Sequence, residues 1–211
     1  MVRTAVLVSG GGTNLQAIID AIDARKIKNC ELAAVLSSSP SAYALTRAEN
    51  AGIPARVIDR RAFKGRGDFC KAIRDTLRDL EIELVVLAGF TFVLDSAAVA
   101  AYENRIINIH PSLIPAFCGD GYYGLRVHEA VLQYGAKVSG ATAHFVTEQA
   151  DAGPIILQRA IDVQSGDTPE TLQRRIMEEV EWKILPEAIS LYCEGRLSVN
   201  GRIVTIKEAE K

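Results

Sequence analysis

Three side chains in this chain could act together on a carbonyl carbon. Asn108 and His110 lie two apart in Ile107-Asn108-Ile109-His110-Pro111-Ser112-Leu113, and Asp151 follows in Gln149-Ala150-Asp151-Ala152-Gly153-Pro154. An imidazole takes and gives a proton near neutral pH. An amide donates hydrogen bonds to an oxyanion. A carboxylate beside the imidazole is expected to favour the imidazolium and raise its pKa. Together they suit acyl transfer through a tetrahedral intermediate. No serine or cysteine sits in a recognisable nucleophile elbow, so direct transfer between two substrates is expected rather than a covalent enzyme. Taken singly, each residue also has a purely structural reading: a strand-end backbone bond for Asn108, a satisfied loop histidine for His110, a turn cap before Gly153 for Asp151.

These residues need elements to hold them. The apolar run before Pro111 reads as a buried strand over 105–109, so residues 108 and 110 share one face where the sheet runs out. In open α/β sheets, ligands bind at the carboxyl ends of strands. A second such end follows the strand Val2 to Val8. There Ser9-Gly10-Gly11-Gly12-Thr13-Asn14 leads into Leu15, Ile18, Ile19 and Ile22 at helical spacing. Glycines let the backbone approach a ligand, and the free N–H groups of a helix start cradle an anion. Leu15 replaces the last glycine of a dinucleotide fingerprint and no lysine follows as in a Walker loop, so a single phosphate monoester is the expected anion. The alternative is a tight turn with a good helix cap.

Further strands are expected over 32–36, 55–58 and 84–87, with helices over 42–50, 68–80 and 96–102 between them. The run at 84–87 suggests burial on both faces. The apolar loop Ala88 to Leu94 beyond it suits a wall for a flat aromatic ligand. Residues 111–124, rich in Pro, Gly and aromatics, form a long loop. A helix over 127–134 closes at Gly135. Strands over 138–147 and 155–163 pair antiparallel, with Asp151 in their connection. A helix starts near Thr168-Pro169 and keeps Leu172, Ile176, Val180 and Ile184 in step. Pro186 is expected to kink or divide it, and Glu181 reads by default as a solvent-facing charge. An Asn200-Gly201 turn makes a final hairpin. The basic residues Arg61, Lys64 and Arg66 read as a solvated face. The whole is one α/β domain over 1–211: a mostly parallel central sheet with helices on both faces and an antiparallel extension.

At 48 % hydrophobic, 24 % charged and a net charge of −2, the chain gives no basic excess for nucleic acid. The start lacks the features of a signal peptide, and no apolar run approaches a membrane span. Cys30, Cys70, Cys118 and Cys193 form no C-x-x-C pair, which fits a reducing cytosol. Cys118 lies near the proposed site but no motif makes it catalytic. His128 and His144 could join His110 around a metal, yet their spacing matches no metal motif. His144 is read as structural, and no metal is expected.

The combination of Ser9 to Ile18, Leu87-Ala88-Gly89-Phe90, Asn108 to Leu113, His144-Phe145-Val146-Thr147 and Asp151 to Gln158 resembles the phosphoribosylglycinamide formyltransferase family, in order and over most of the chain. The resemblance implies a Rossmann-like formyltransferase fold and transfer of a formyl group from 10-formyltetrahydrofolate to the amine of glycinamide ribonucleotide, a step of de novo purine synthesis. It implies a phosphate- and ribonucleotide-binding half over 1–105 and a catalytic, folate-binding half over 106–211. By the family pattern His110 is the general acid, Asn108 stabilises the oxyanion, and Asp151 tunes His110 and helps relay the proton. Gly11, Gly12, Thr13 and Asn14 hold the phosphate, and Glu181 contacts the ribonucleotide. Thr91, Phe92, Val93 and Leu94, with Thr147, Glu148, Gln149, Ala150 and Asp151, hold the pterin; Asn108 also contacts the folate, and Arg66 matches a basic position near it. The implied partners are these two small molecules, with neither nucleic acid nor membrane, in a cytoplasmic monomer or homodimer.

The chain departs from the family pattern in three places. The loop 117–126 is several residues longer, Thr91-Phe92 replaces a Met-Arg pair, and the helix before Glu181 carries one extra residue. Relatives with the same three residues include formyltetrahydrofolate hydrolase, expected to need an N-terminal regulatory domain before the first strand, and methionyl-tRNA formyltransferase, expected to need a basic C-terminal domain. A folate- or nucleotide-binding module without turnover is the non-enzymatic alternative.

Overall fold

The computed structural model describes residues 1–208. Its sheet grows outward from β1 (Val2–Val8), whose Ala5, Val6, Leu7 and Val8 are fully buried. A continuous apolar run is what a strand covered on both faces requires. Alternation then divides the strand: Val6 and Val8 join one core, Ala5 and Leu7 the other. The remaining strands are β2 (Cys30–Ser37), β3 (Ala55–Val57), β4 (Leu84–Leu87), β5 (Ile106–His110), β6 (Val138–Phe145), β7 (Ile155–Asp162), β8 (Leu197–Asn200) and β9 (Ile203–Ile206), in the spatial order β3-β2-β1-β4-β5-β6-β7-β9-β8. The first five are mutually parallel. The β5–β6, β6–β7 and β8–β9 pairs are antiparallel, and β7 meets β9 in parallel at a single residue pair. The expected architecture, parallel sheet with antiparallel extension, is the observed one.

Helices cover both faces. One core packs Leu15 and Ile18 of α1 (Thr13–Asp23), Val131 of α5 (Leu125–Tyr134), Leu172 and Ile176 of α6 (Pro169–Ile176), and Ile184 of α7 (Trp182–Cys193). The other packs Phe69, Ile73 and Leu77 of α3 (Arg66–Asp79) and Val99 of α4 (Ser96–Ala101). Each such fully buried side chain contributes on the order of 2 kcal/mol. The short α2 (Ala44–Asn50) lies beside α1. Among the described residues, no helix is long and apolar enough to cross a membrane.

Two local expectations change. Pro186 lies inside α7 and does not divide it; the interruption is a π-helical turn at Met177–Glu181, upstream of the proline. Pro186 offers no N–H to the carbonyl four residues back, at Trp182. Trp182 has a ψ of −4°, which swings that carbonyl off the helix line. The hairpin turn is also shifted by one residue. Asn200 pairs with Ile203, so Gly201-Arg202 is the two-residue loop, with Gly201 at a φ of 58°. Glycine first is the pattern of a II′ turn rather than the expected Asn-Gly I′ turn.

Strand order reverses between β1 and β4, so the loops beyond their carboxyl ends diverge and leave a crevice. The glycine loop follows β1, Gly89 follows β4, and Asn108 and His110 end β5. All three border one cleft of about 410 Å³.

Candidate functional site

The ends of β5 and β6 meet at the floor of this cleft. Asn108 is paired directly with His144 across the two strands, and the Asn108 amide nitrogen lies 3.1 Å from His144 Nε2. His144 Nδ1 lies 2.8 Å from the Phe145 carbonyl, which can only accept. Nδ1 therefore carries a proton, and Nε2 accepts from the Asn108 amide. One N–H of the amide is thereby fixed on His144 and the other is free to donate. From its place in an alternating strand His144 reads as structural. It lines the cleft, and the signal that finds it is the strand register that sets it opposite Asn108.

His110 is 4 % exposed. Its Nε2 donates to the Phe117 carbonyl at 2.9 Å, and its Nδ1 lies 3.4 Å from Asp151 Oδ2. The same carboxylate oxygen accepts the Gly119 N–H at 2.9 Å, while Oδ1 lies 3.6 Å from His144 Nε2. Asp151 thus stands between two histidines. Its left-handed φ of 51° aims it there, a conformation aspartate tolerates better than most residues. Gly153 lets the chain come this close, because a Cβ there would collide with the Phe145 carbonyl.

Burial pulls the His110 imidazole below its ordinary range. The charge of Asp151 and the bond to Phe117 oppose this, and His144 adds to the lowering. The expected rise from Asp151 is therefore overturned by desolvation. Burial also pushes the Asp151 carboxyl up, but His144, the charge of His110 and the Gly119 N–H together hold it below the usual aspartate range. At neutral pH the pair is a carboxylate beside a neutral imidazole whose Nδ1 is free to take a proton.

At the other end of the cleft, α1 begins at Gly12 with no side chain capping its first turn. Gly11, Gly12, Thr13 and Asn14 line the cleft here. Glu181 reaches the same end. The wide turn at Met177–Glu181 closes on the fifth residue and so absorbs one extra position. It keeps Val180 in the core and brings Glu181 to the cleft, 5 % exposed, accepting the Asn14 amide N–H at 2.7 Å. This overturns the solvent-facing reading. Burial pushes its carboxyl up to about 7, the Asn14 bond opposing only in part.

Between the two ends, Thr91, Phe92, Val93 and Leu94 form one wall, and Thr147, Ala150 and Asp151 the facing edge. Glu148 and Gln149 are exposed outside the lining. Arg66 is outside it too; its guanidinium donates to the Leu94 carbonyl at 3.0 Å and braces that wall from behind. The long loop supplies Gly119 to Gly124 to the lining. Cys118 donates weakly to the Pro115 carbonyl, and burial, then Asp151, push its thiol up. That is the reverse of what an activated nucleophile needs. His128, fully buried with neither ring nitrogen hydrogen-bonded, is pushed down to about 4 by burial and by His110.

Comparison with known proteins matches residues 2–189 to the formyl transferase family model. The phosphoribosylglycinamide formyltransferase of Escherichia coli (strain K12) is 39 % identical over 195 residues, which cover 92 % of this chain and 89 % of that protein. The trifunctional purine biosynthetic protein adenosine-3 of Bos taurus is 43 % identical over 208 residues, 98 % of this chain. The chain spans only about one fifth of that relative's length. Among solved structures, glycinamide ribonucleotide transformylase 1 from Symbiobacterium toebii superposes with a TM-score of 0.92 at 46 % identity, covering 99 % of this chain and 95 % of that one.

Proposed function

Because the chain belongs to the formyl transferase family, we propose that it moves the formyl group of 10-formyltetrahydrofolate to the amine of glycinamide ribonucleotide, in de novo purine synthesis. The observation that carries this reading is one cleft with Asn108, His110 and Asp151 at one end and an uncapped helix start with Glu181 at the other. A ribonucleotide whose phosphate rests on Gly11 to Asn14 extends toward Asp151. The pterin occupies the space between the 91–94 wall and the 147–151 edge, held largely by backbone groups, and Arg66 keeps that wall in place through Leu94.

The amine attacks the formyl carbon and the carbonyl becomes an oxyanion. The free N–H of Asn108, held in orientation by His144, donates to that oxygen. The proton lost by the amine passes to the Asp151–His110 pair, where Nδ1 is vacant. The imidazolium so formed is stabilised by Asp151 Oδ2. The oxyanion then re-forms the carbonyl as the bond to the folate nitrogen breaks, and the same proton goes to that departing nitrogen. No group on the protein becomes acylated. Burial of the pair excludes the water that would otherwise take the formyl group.

Mixing the protein with glycinamide ribonucleotide and a 10-formylfolate donor, and following deformylated folate, tests the reading. Deformylation that requires the ribonucleotide is expected. The same rate without it would instead mark a hydrolase, and binding of both compounds without turnover would mark a binding module.

A further inference from the structure

A dianionic phosphate in this cleft meets an electrostatic difficulty. Among the described residues lining it are the carboxylates Asp120, Asp151 and Glu181, and no lysine or arginine. The cation nearest in bonding to the glycine loop is Arg47, on α2 behind it. Arg47 Nε donates to the Gly11 carbonyl at 2.9 Å, Nη1 donates to Gln16 Oε1 at 3.0 Å, and the guanidinium lies 5.1 Å from the centre of the Tyr43 ring. One residue earlier in the loop, the Gly10 carbonyl accepts the Ala44 N–H at 3.1 Å. Helix α2 therefore captures two successive loop carbonyls. In a trans peptide the N–H points opposite to the carbonyl. Fixing the carbonyls of Gly10 and Gly11 on the α2 side turns the N–H groups of Gly11 and Gly12 the other way, and both of these residues line the cleft. The close fit is specific: Gly12 has a φ of 72°, and a Cβ on it would overlap Ala44.

The geometry points to Arg47 as a positioning residue of the phosphate site. It orients the Gly12 N–H through the Gly11 carbonyl, and its fixed charge offsets the carboxylates of the cleft. The inference rests on the ribonucleotide reading above and adds to it a residue outside the cleft that acts through the loop.

Three proteins test it: the unaltered chain, Arg47→Met, which removes the charge at similar length, and Arg47→Lys, which keeps it. The measurements are the KM for glycinamide ribonucleotide, the inhibition constant of ribose 5-phosphate against it, and the KM for the folate donor. Arg47→Met is expected to raise the first two by about tenfold, the scale of one charge-assisted hydrogen bond, and to leave the folate KM within about twofold. Arg47→Lys is expected to fall between. An equal rise in the folate KM, or an unchanged constant for ribose 5-phosphate, would overturn the inference while leaving the formyl-transfer reading intact. Absence of ribonucleotide-dependent turnover in the unaltered chain would overturn both.

Discussion

Replacing Glu181 with Gln should stabilise the protein at alkaline pH while harming its chemistry. The carboxyl is 5 % exposed, its one hydrogen bond comes from the Asn14 amide, and burial raises it from 4.5 to about 7. In the unfolded chain it loses its proton near 4.5. Between pH 4.5 and 7 the folded state thus binds more protons than the unfolded one, and stability falls as pH rises through that window. The interval of about 2.5 pH units corresponds to roughly 3 kcal/mol, fully lost by about pH 8. Glutamine keeps an oxygen to accept from Asn14. It also brings an N–H near Asn14 Oδ1, a buried atom without a hydrogen-bond partner. At about 2–4 °C per kcal/mol for a chain of this size, Glu181→Gln should melt up to roughly 6–12 °C higher at pH 8 than the parent. The gain should vanish below pH 4.5, where both side chains are neutral. Thermal melts without ligand, from pH 4.5 to 8.5, measure this directly. A gain that does not change with pH, or a variant less stable at pH 8, would refute the argument. In parallel, the KM for the ribonucleotide should rise, because the variant cannot present a carboxylate to it.

Burial keeps the His110 imidazole neutral below its ordinary range. With both substrates saturating, so that the Glu181 carboxyl at about 7 does not enter through binding, the profile of kcat against pH should therefore be level through neutrality and fall only below about pH 6.5; a falling limb centred above 7 would contradict the direction of this shift. His144→Ala should lower kcat more than it raises the KM for either substrate, since it leaves the Asn108 amide without its orienting acceptor. Steady-state kinetics check this, and a change confined to KM would count against the role given to His144. Cys118→Ser should keep turnover within about twofold of the parent, and Cys118 should react slowly with iodoacetamide at pH 7.5, because its thiol is pushed up rather than down. Rapid alkylation of Cys118, mapped by peptide mass, with a matching loss of turnover would show otherwise.

The sheet was readable in the sequence because its strands are apolar runs too short for helices, and their carboxyl ends were marked by Gly10 to Gly12, Gly89 and Pro111. Asn108 and His110 could be placed together from the period of a strand alone. What escaped depended on distances between elements. His144 in an alternating strand looks like any half-buried histidine until the register with β5 is known. Glu181 looked exposed because a regular four-residue step runs past it, and a π turn leaves no mark in composition. The direction of the His110 shift needed the depth of burial, which competes with Asp151 and wins. Arg66 carried a positive charge whose partner, the Leu94 carbonyl, has no side-chain signature.

The central claim is that Asp151 and His110 carry one proton between an attacking amine and a departing folate nitrogen. Single-turnover deformylation of 10-formyltetrahydrofolate, with saturating glycinamide ribonucleotide, tests it in the parent and in Asp151→Asn. A fall of about 10²–10⁴ in the rate is predicted, with both ligands still bound and the fold unchanged by circular dichroism. A rate within a few-fold of the parent would contradict the account.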